Sequence, residues 1–415
     1  MDLLDKSISQ LLKLMDLNEI LSEEITKACI ENIEKSKMDD QVYQTFLKDE
    51  AIEKAREIDQ KRKDKEELGS LAGIPIAVTD DISTKGILTT AGSKILENYI
   101  PPFNATVMEG LIEEDAICLG KLRINEFGLK KSDSLSKTLN SKGAIFGLGT
   151  RMDESKVSMK PSFGLISRYG VIAPTSTFDQ IVPVTNSVED LALVLNCLAG
   201  YDKRDSTSID KEKVDYREAL KTDIDGLKLV LPTEVISEDL AKMVKRLKDL
   251  GLPVQEISLS TLDYILPVYE VLSSAEFASN SARYDGISLG YRTDEFNDIE
   301  ELYKKTRSEG FALEAKKKIL YGNYVMGSKQ YNNTYKKSQQ IRTMIKEEFT
   351  RTIKEYGMIL LPYGKDEGLD LVANLTGLPS ITLAHGVQVL GPYLGEEELI
   401  RLAYALENKE VTING

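Results

Sequence analysis

The chain has 415 residues, 41% of them hydrophobic and 29% charged, with a formal net charge of −14 and a sequence pI near 4.9. That length can bury a large α/β core. The acidic balance excludes a stand-alone nucleic-acid binder, which needs a basic surface to neutralise phosphates, but leaves open a component of a complex whose partner holds the RNA. Three cysteines, Cys29, Cys118 and Cys197, lie far apart in no metal-ligand spacing, which reads as free thiols in a reducing cytoplasm. Met1 to Lys6 shows no basic region before an apolar run, so no signal peptide is expected. No apolar run reaches 18 residues, so no membrane span is expected either.

In chain order, Leu4, Ile8, Leu11, Leu12 and Met15 stand at helical spacing. A second helix is predicted after Ser22, where Glu23 and Glu24 suit a helix start. Residues 48–67 are rich in Ala, Glu, Lys and Arg and read as a solvent-facing helix. Ile74 to Val78 is a short β-rich run closed by Asp80-Asp81. Ala105 to Glu114 reads as a helix, Ala116 to Gly120 as a buried strand, and Ala144 to Gly149 as another. Val188 to Ala199 is an amphipathic helix with Ser187 as its cap. Leu227 to Leu231, Ser237 to Leu250 and Pro253 to Ile257 repeat a β-α-β rhythm. Residues 271–350 are helical and polar, with Tyr321, Tyr324, Tyr331 and Tyr335 in a dense series. Met358 to Leu361 is a strand, Asn374 to Ala384 leads into the last strand, and Glu396 to Asn408 is the final helix. This alternation predicts a layered α/β fold. With no linker or internal repeat, residues 1–415 read as one domain, with an N-terminal helical segment at 1–67 and a helical insertion at about 271–350.

Several ordered motifs carry a resemblance. They are Leu71-Ala72-Gly73-Ile74-Pro75-Ile76-Ala77-Val78, Asn125-Glu126-Phe127, Ser167-Arg168-Tyr169-Gly170, Phe178-Asp179-Gln180-Ile181 and Ser187-Val188-Glu189-Asp190. Further on stand Ala282-Arg283-Tyr284-Asp285-Gly286, Thr306-Arg307-Ser308-Glu309-Gly310-Phe311 and Asn374-Leu375-Thr376-Gly377-Leu378-Pro379. Together they resemble the amidase signature family, and within it the A subunits of the glutamine-dependent aminoacyl-tRNA amidotransferases. The resemblance implies an α/β/α sandwich around a mixed, mostly parallel sheet, here truncated at its catalytic core. It implies the B and C subunits of the amidotransferase as partners, and glutamine or a small amide as ligand. It implies no metal or organic cofactor in this chain, since ATP and Mg²⁺ use belongs to the B subunit. No direct contact with nucleic acid or membrane is implied, and the compartment is the cytoplasm.

The family's chemistry uses a Ser–Ser–Lys triad: a neutral lysine takes a proton through a relay serine from the nucleophilic serine, and backbone N–H groups of a glycine-rich loop hold the oxyanion. Here Thr79 stands at the lysine position, and a threonine hydroxyl is no general base near pH 7. Only 31 residues separate Phe127 from Met159, too few for both serine segments. No triad residue carries over. His385, the lone histidine, follows an apolar strand and reads as structural, with a catalytic base as the alternative. Cys118 reads as core. Ser132, Ser134 and Ser136 fall where the family lines its pocket, and Lys130 and Lys131 either fill that space or form a solvated turn. Lys160, in the family's Lys-Pro element, is a weak candidate for a new base. By resemblance, Arg342 would clamp a substrate carboxylate in a bidentate pair, with Tyr284, Arg292 and an acidic partner, Asp370 or Glu367, completing a remnant site. The first expectation is a catalytically degenerate structural or binding subunit. The second is an active amidase or glutaminase with substituted residues. A decaying reading frame is the third.

Overall fold

The computed structural model describes residues 3–383 and 386–408. Among these residues one sheet has eleven strands. They are β1 (Tyr43–Phe46), β2 (Pro75–Thr79), β3 (Ile117–Leu122), β4 (Phe146–Gly149), β5 (Val157–Lys160), β6 (Val182–Thr185), β7 (Leu229–Pro232), β8 (Val254–Ile257), β9 (Met358–Pro362), β10 (Ser380–Leu383) and β11 (Val387–Leu390). Their order across the sheet is β1-β3-β2-β4-β6-β5-β10-β11-β9-β7-β8. The mixed α/β architecture expected from the sequence is present. β2 pairs in parallel with β3 and β4, and β7 with β8 and β9. The six other pairings, including the whole middle of the sheet, are antiparallel.

The sheet is covered on both faces. Along β9, Met358 and Leu360 join one hydrophobic core while Ile359 and Leu361 join another. Along β7, Leu229 and Leu231 separate from Val230 in the same way. Successive side chains of a strand point to opposite faces, so the two cores mark two helical layers with the sheet between them. All five residues of β2 are buried, as a strand covered on both sides requires.

Local chemistry places the helices. Ser187 Oγ accepts the Asp190 N–H and starts the helix Val188–Leu198. Ser237 caps Glu238–Asp249 through Leu240 in the same way. The first helix, Ile8–Asp16, is tied to this frame because Asp190 Oδ1 accepts the Ile8 N–H at 2.7 Å. The larger core runs from Leu4 to Leu406, joining the two ends of the described chain. The region expected to be helical from 271 begins earlier: its helices are Ile265–Asn280, Ile299–Gly310, Leu313–Met326 and Tyr335–Tyr356. The strand ending near Ala384 is not the last, since β11 returns beside it as the second arm of a hairpin.

Candidate functional site

The middle of the sheet contains an unusually short connection. β4 and β5 both run antiparallel to β6, which lies between them, so they are parallel to one another. Parallel strands ordinarily need a crossover of about a dozen residues or more, usually with a helix. Here residues 150–156 make the whole crossover, seven residues with no helix. Thr79 ends β2, Gly149 ends β4 and Lys160 ends β5. Polar residues gather at these strand ends, the position where open α/β sheets place their ligands.

Thr79 is buried, and its hydroxyl donates to Asp81 Oδ1 at 2.5 Å. Thr150, the first residue of the short crossover, donates to Asp81 Oδ2 at 2.7 Å. Burial raises the Asp81 pKa, and the two threonine bonds oppose that shift. The surroundings of Thr79 are tight: a Cβ added at Gly149 would lie 3.2 Å from Thr79 Cγ2 and 2.8 Å from Leu135 Cδ1.

Beyond Thr150, half-buried Arg151 donates to the Gly128 carbonyl at 2.9 Å. Burial works against its charge, but Tyr269 and Asp179 outweigh burial and hold the guanidinium protonated. Lys160 is 2% exposed. Burial drives its pKa down to about 7, with Asp179 working against the shift and Arg151 and Arg168 reinforcing it. Asp179 is itself occupied, accepting from the backbone N–H and hydroxyl of Thr175 at 2.7 and 2.6 Å.

Lys131 reaches into the same place. Its ammonium lies 2.5 Å from Asp370 Oδ2 and over the Tyr363 ring, 4.8 Å from the centroid. Asp370 Oδ1 accepts the Gly364 N–H at 2.8 Å. Burial raises the Asp370 pKa and Lys131 opposes it. The cavity left between Lys131, Thr150, Arg151, Lys160, Tyr363 and Asp370 is about 50 Å³. That volume holds roughly three waters. Of the two acidic candidates, Glu367 also lines this space, but it is Asp370 that is buried and bonded there.

The other predicted residues stand elsewhere. Arg342 donates to the Leu375 carbonyl at 3.0 Å and to Thr177 Oγ1 and O at 3.2 and 3.3 Å, and stacks 4.4 Å above Phe178. Its donors are spent on the chain itself. Tyr284 packs in an aromatic cluster with Phe127 and Phe311, at centroid distances of 5.5 and 6.1 Å. It lines a separate open cleft of about 430 Å³ that Arg168 and Arg283 share. The single remnant site expected from Tyr284, Arg342 and Asp370 is therefore divided among three places. Arg292 faces the Phe296 ring at 5.1 Å, in none of them. Ser134 and Ser132 bond each other and the Arg123 carbonyl. Cys118 is half-buried on β3, and His385 lies outside the described residues. Arg151 and Asp179 were missed as site residues. The only signal for them was a charged residue placed directly after the apolar run of β4, and an aspartate carried within a longer motif.

Among the described residues no group of three potential metal ligands occurs, and no helix is long and apolar enough to cross a membrane. The Amidase family model matches residues 24–138 and 155–376. The unmatched interval between them contains β4 and most of the short crossover. The A subunit of glutamyl-tRNA(Gln) amidotransferase from Fusobacterium nucleatum is 39% identical over 462 aligned positions, covering 96% of this chain and 95% of that one. Because 462 exceeds 415 by 47, at least 47 positions of that relative have no counterpart here. Among solved structures, the A subunit of the Thermotoga maritima glutamyl-tRNA(Gln) amidotransferase shares the fold with a TM-score of 0.75 at 24% identity, covering 99% of this chain and 96% of that one. The peptide amidase of Stenotrophomonas maltophilia does so with a TM-score of 0.77 at 21% identity, covering 97% and 96%. Fold, family match and near-full-length identity agree: the chain belongs to the Amidase family.

Proposed function

We propose that this chain is a catalytically silent counterpart of the A subunit of glutamyl-tRNA(Gln) amidotransferase, working in the cytoplasm as a structural or binding partner of the B and C subunits. The observation that carries this reading is the seven-residue crossover from β4 to β5. It leaves no length for a glycine-rich catalytic loop: its single serine, Ser155, is exposed and donates to Asp153 at 2.8 Å, and Lys131 lines the space that remains. Amide hydrolysis by a serine needs a nucleophile, a base and an oxyanion site at one carbonyl. Thr79, bonded to a buried carboxylate, supplies none of them. We read residues 1–415 as a single domain, consistent with a core that joins Leu4 to Leu406.

The second reading, an active amidase or glutaminase with substituted residues, has one observation in its favour. Lys160 is a buried amine whose pKa lies near 7, the range of a general base. The roughly 50 Å³ beside it would have to open for an amide substrate to enter.

Co-expression with the B and C subunits of the same organism, followed by size exclusion and an ammonia-release assay with glutamine, separates the two. A stable complex without ammonia release is the expected result. Ammonia release that disappears in Lys160→Met would overturn it in favour of a relocated active site.

A further inference from the structure

The cavity beside β5 has an electrostatic imbalance. Its lining includes four cationic side chains, Lys130, Lys131, Arg151 and Lys160, against two carboxylates, Glu367 and Asp370. Asp370 is already committed to Lys131 and to the Gly364 N–H. Lys130 turns outward, with its ammonium 3.8 Å from Glu314. Lys160 is different. It is 2% exposed, and neither a hydrogen bond nor an ion pair reaches its ammonium among the described residues. Arg151 is bonded to the Gly128 carbonyl and to Tyr269, but has no carboxylate within ion-pair distance among those residues. Asp179, the carboxylate whose field reaches both cations, has its accepting capacity directed at Thr175.

A buried cation without a partner is costly, and proteins usually neutralise it with an opposite charge. No protein carboxylate fills that role at Lys160, but the cavity can admit an ion in its place. Room for roughly three waters excludes a large organic acid and suits a halide or a one-carbon carboxylate. The Lys160 side chain lines this space with no hydrogen-bond partner among the described residues, and Asn374, whose amide N–H goes to the Phe178 carbonyl at 3.3 Å, lines it too. The protein's overall negative charge does not oppose this, because the lining is locally positive.

We propose that this cavity binds one small monoanion, of the size of chloride or formate, held between Lys160 and Arg151. The ion completes the charge balance at the strand ends where the crossover is shortest. This site depends neither on partner chains nor on catalysis, so it stands or falls apart from the proposed function.

The test uses the full chain. Crystals soaked in bromide should give an anomalous peak within hydrogen-bond distance of Lys160 Nζ. In solution, thermal unfolding is compared at pH 6, where Lys160 carries its proton, in chloride, formate and gluconate at equal ionic strength. At about ten times the dissociation constant, chloride or formate should raise Tm by roughly 2 °C over gluconate, which is too large to enter. Lys160→Met should abolish that increment, and Arg151→Gln should reduce it. A bromide-free cavity in the wild-type crystal would overturn the proposal. So would an increment that persists unchanged in Lys160→Met, and the crystal result does not depend on that variant folding.

Discussion

Two parallel crossovers in the same sheet are built in opposite ways. From β7 to β8 the chain takes 21 residues, 233–253, and folds them into the capped helix Glu238–Asp249 that packs on the sheet. From β4 to β5 it takes seven and forms no helix, although it must pass the width of β6. The first connection buries its own apolar stripe of Leu240, Met243 and Leu247 and adds a piece of core. The second adds almost none, and anchors itself instead by polar contacts: Thr150 to Asp81, Arg151 to Gly128, and the Met152 carbonyl to the Tyr363 hydroxyl. A sheet of this family therefore holds together around a connection of seven residues, with polar contacts anchoring the strand ends.

The contrast can be broken most severely in the strand that feeds the short crossover. Phe146 is fully buried on β4, whereas Val254 on edge strand β8 is half-buried. Phe146→Ala should cost about 3–5 kcal/mol by loss of burial and cavity formation, while Val254→Ala should cost under about 1.5 kcal/mol. Urea unfolding of both variants measures the difference, and equal losses would contradict the view that the middle of the sheet holds the molecule together.

A smaller effect separates the two regions by pH. The folded-state pKa of Lys160 is depressed to about 7 against an ordinary value of 10.5. Between these values the unfolded chain binds the proton and the folded chain does not, so stability rises with pH across that window and is lost as pH falls toward 7. The slope is about 1.4 kcal/mol per pH unit at most. The difference between wild type and Lys160→Met, followed by urea unfolding from pH 7 to 9 in gluconate buffer without chloride or formate, should carry about 2–3 kcal/mol of this dependence. A flat difference would mean that the amine stays charged in the fold.

Smaller still is the effect of removing Lys131, which lines the cavity beside β5. Lys131 is half-exposed, so its bond to buried Asp370 is screened by solvent. Lys131→Met should cost about 1 kcal/mol, mostly from leaving Asp370 without its ammonium partner, and the double variant Lys131→Met with Asp370→Asn should recover part of that. Thermal unfolding of the single and double variants checks the coupling.

These two regions also differ in how readily sequence reveals them. The β7–helix–β8 unit was legible because each part carries its own signal: an apolar run, Ser237 as a cap, and an amphipathic stripe. Around the short crossover those signals are weak. β6 carries Pro183 within it, and β5 depends on pairing with the distant β10. That Thr79 stands at the family's lysine position, and that Lys130 and Lys131 fall in the pocket-lining segment, could be read from residues aligned with a known pattern. The meeting of Arg151, Lys160 and Asp179 could not, because their proximity comes from strand order and not from spacing along the chain. The same holds for the separation of Tyr284 from Asp370, which sit in different cavities.

The short crossover also bears on the order in which the chain folds. β4, β5 and β6 fall within residues 146–185, so these three strands can pair while most of the molecule is still unstructured. β5 then waits for β10, whose Ser380 pairs with Lys160 from 220 positions further along the sequence. Closing a loop of that length is slow, whereas pairing β5 with β6 closes only residues 161–181. The short connection keeps β4, β5 and β6 close in sequence, so we expect these strands to pair before β10 and β11 dock on them, with lower exchange protection in β10 than in β6 on early refolding as the check.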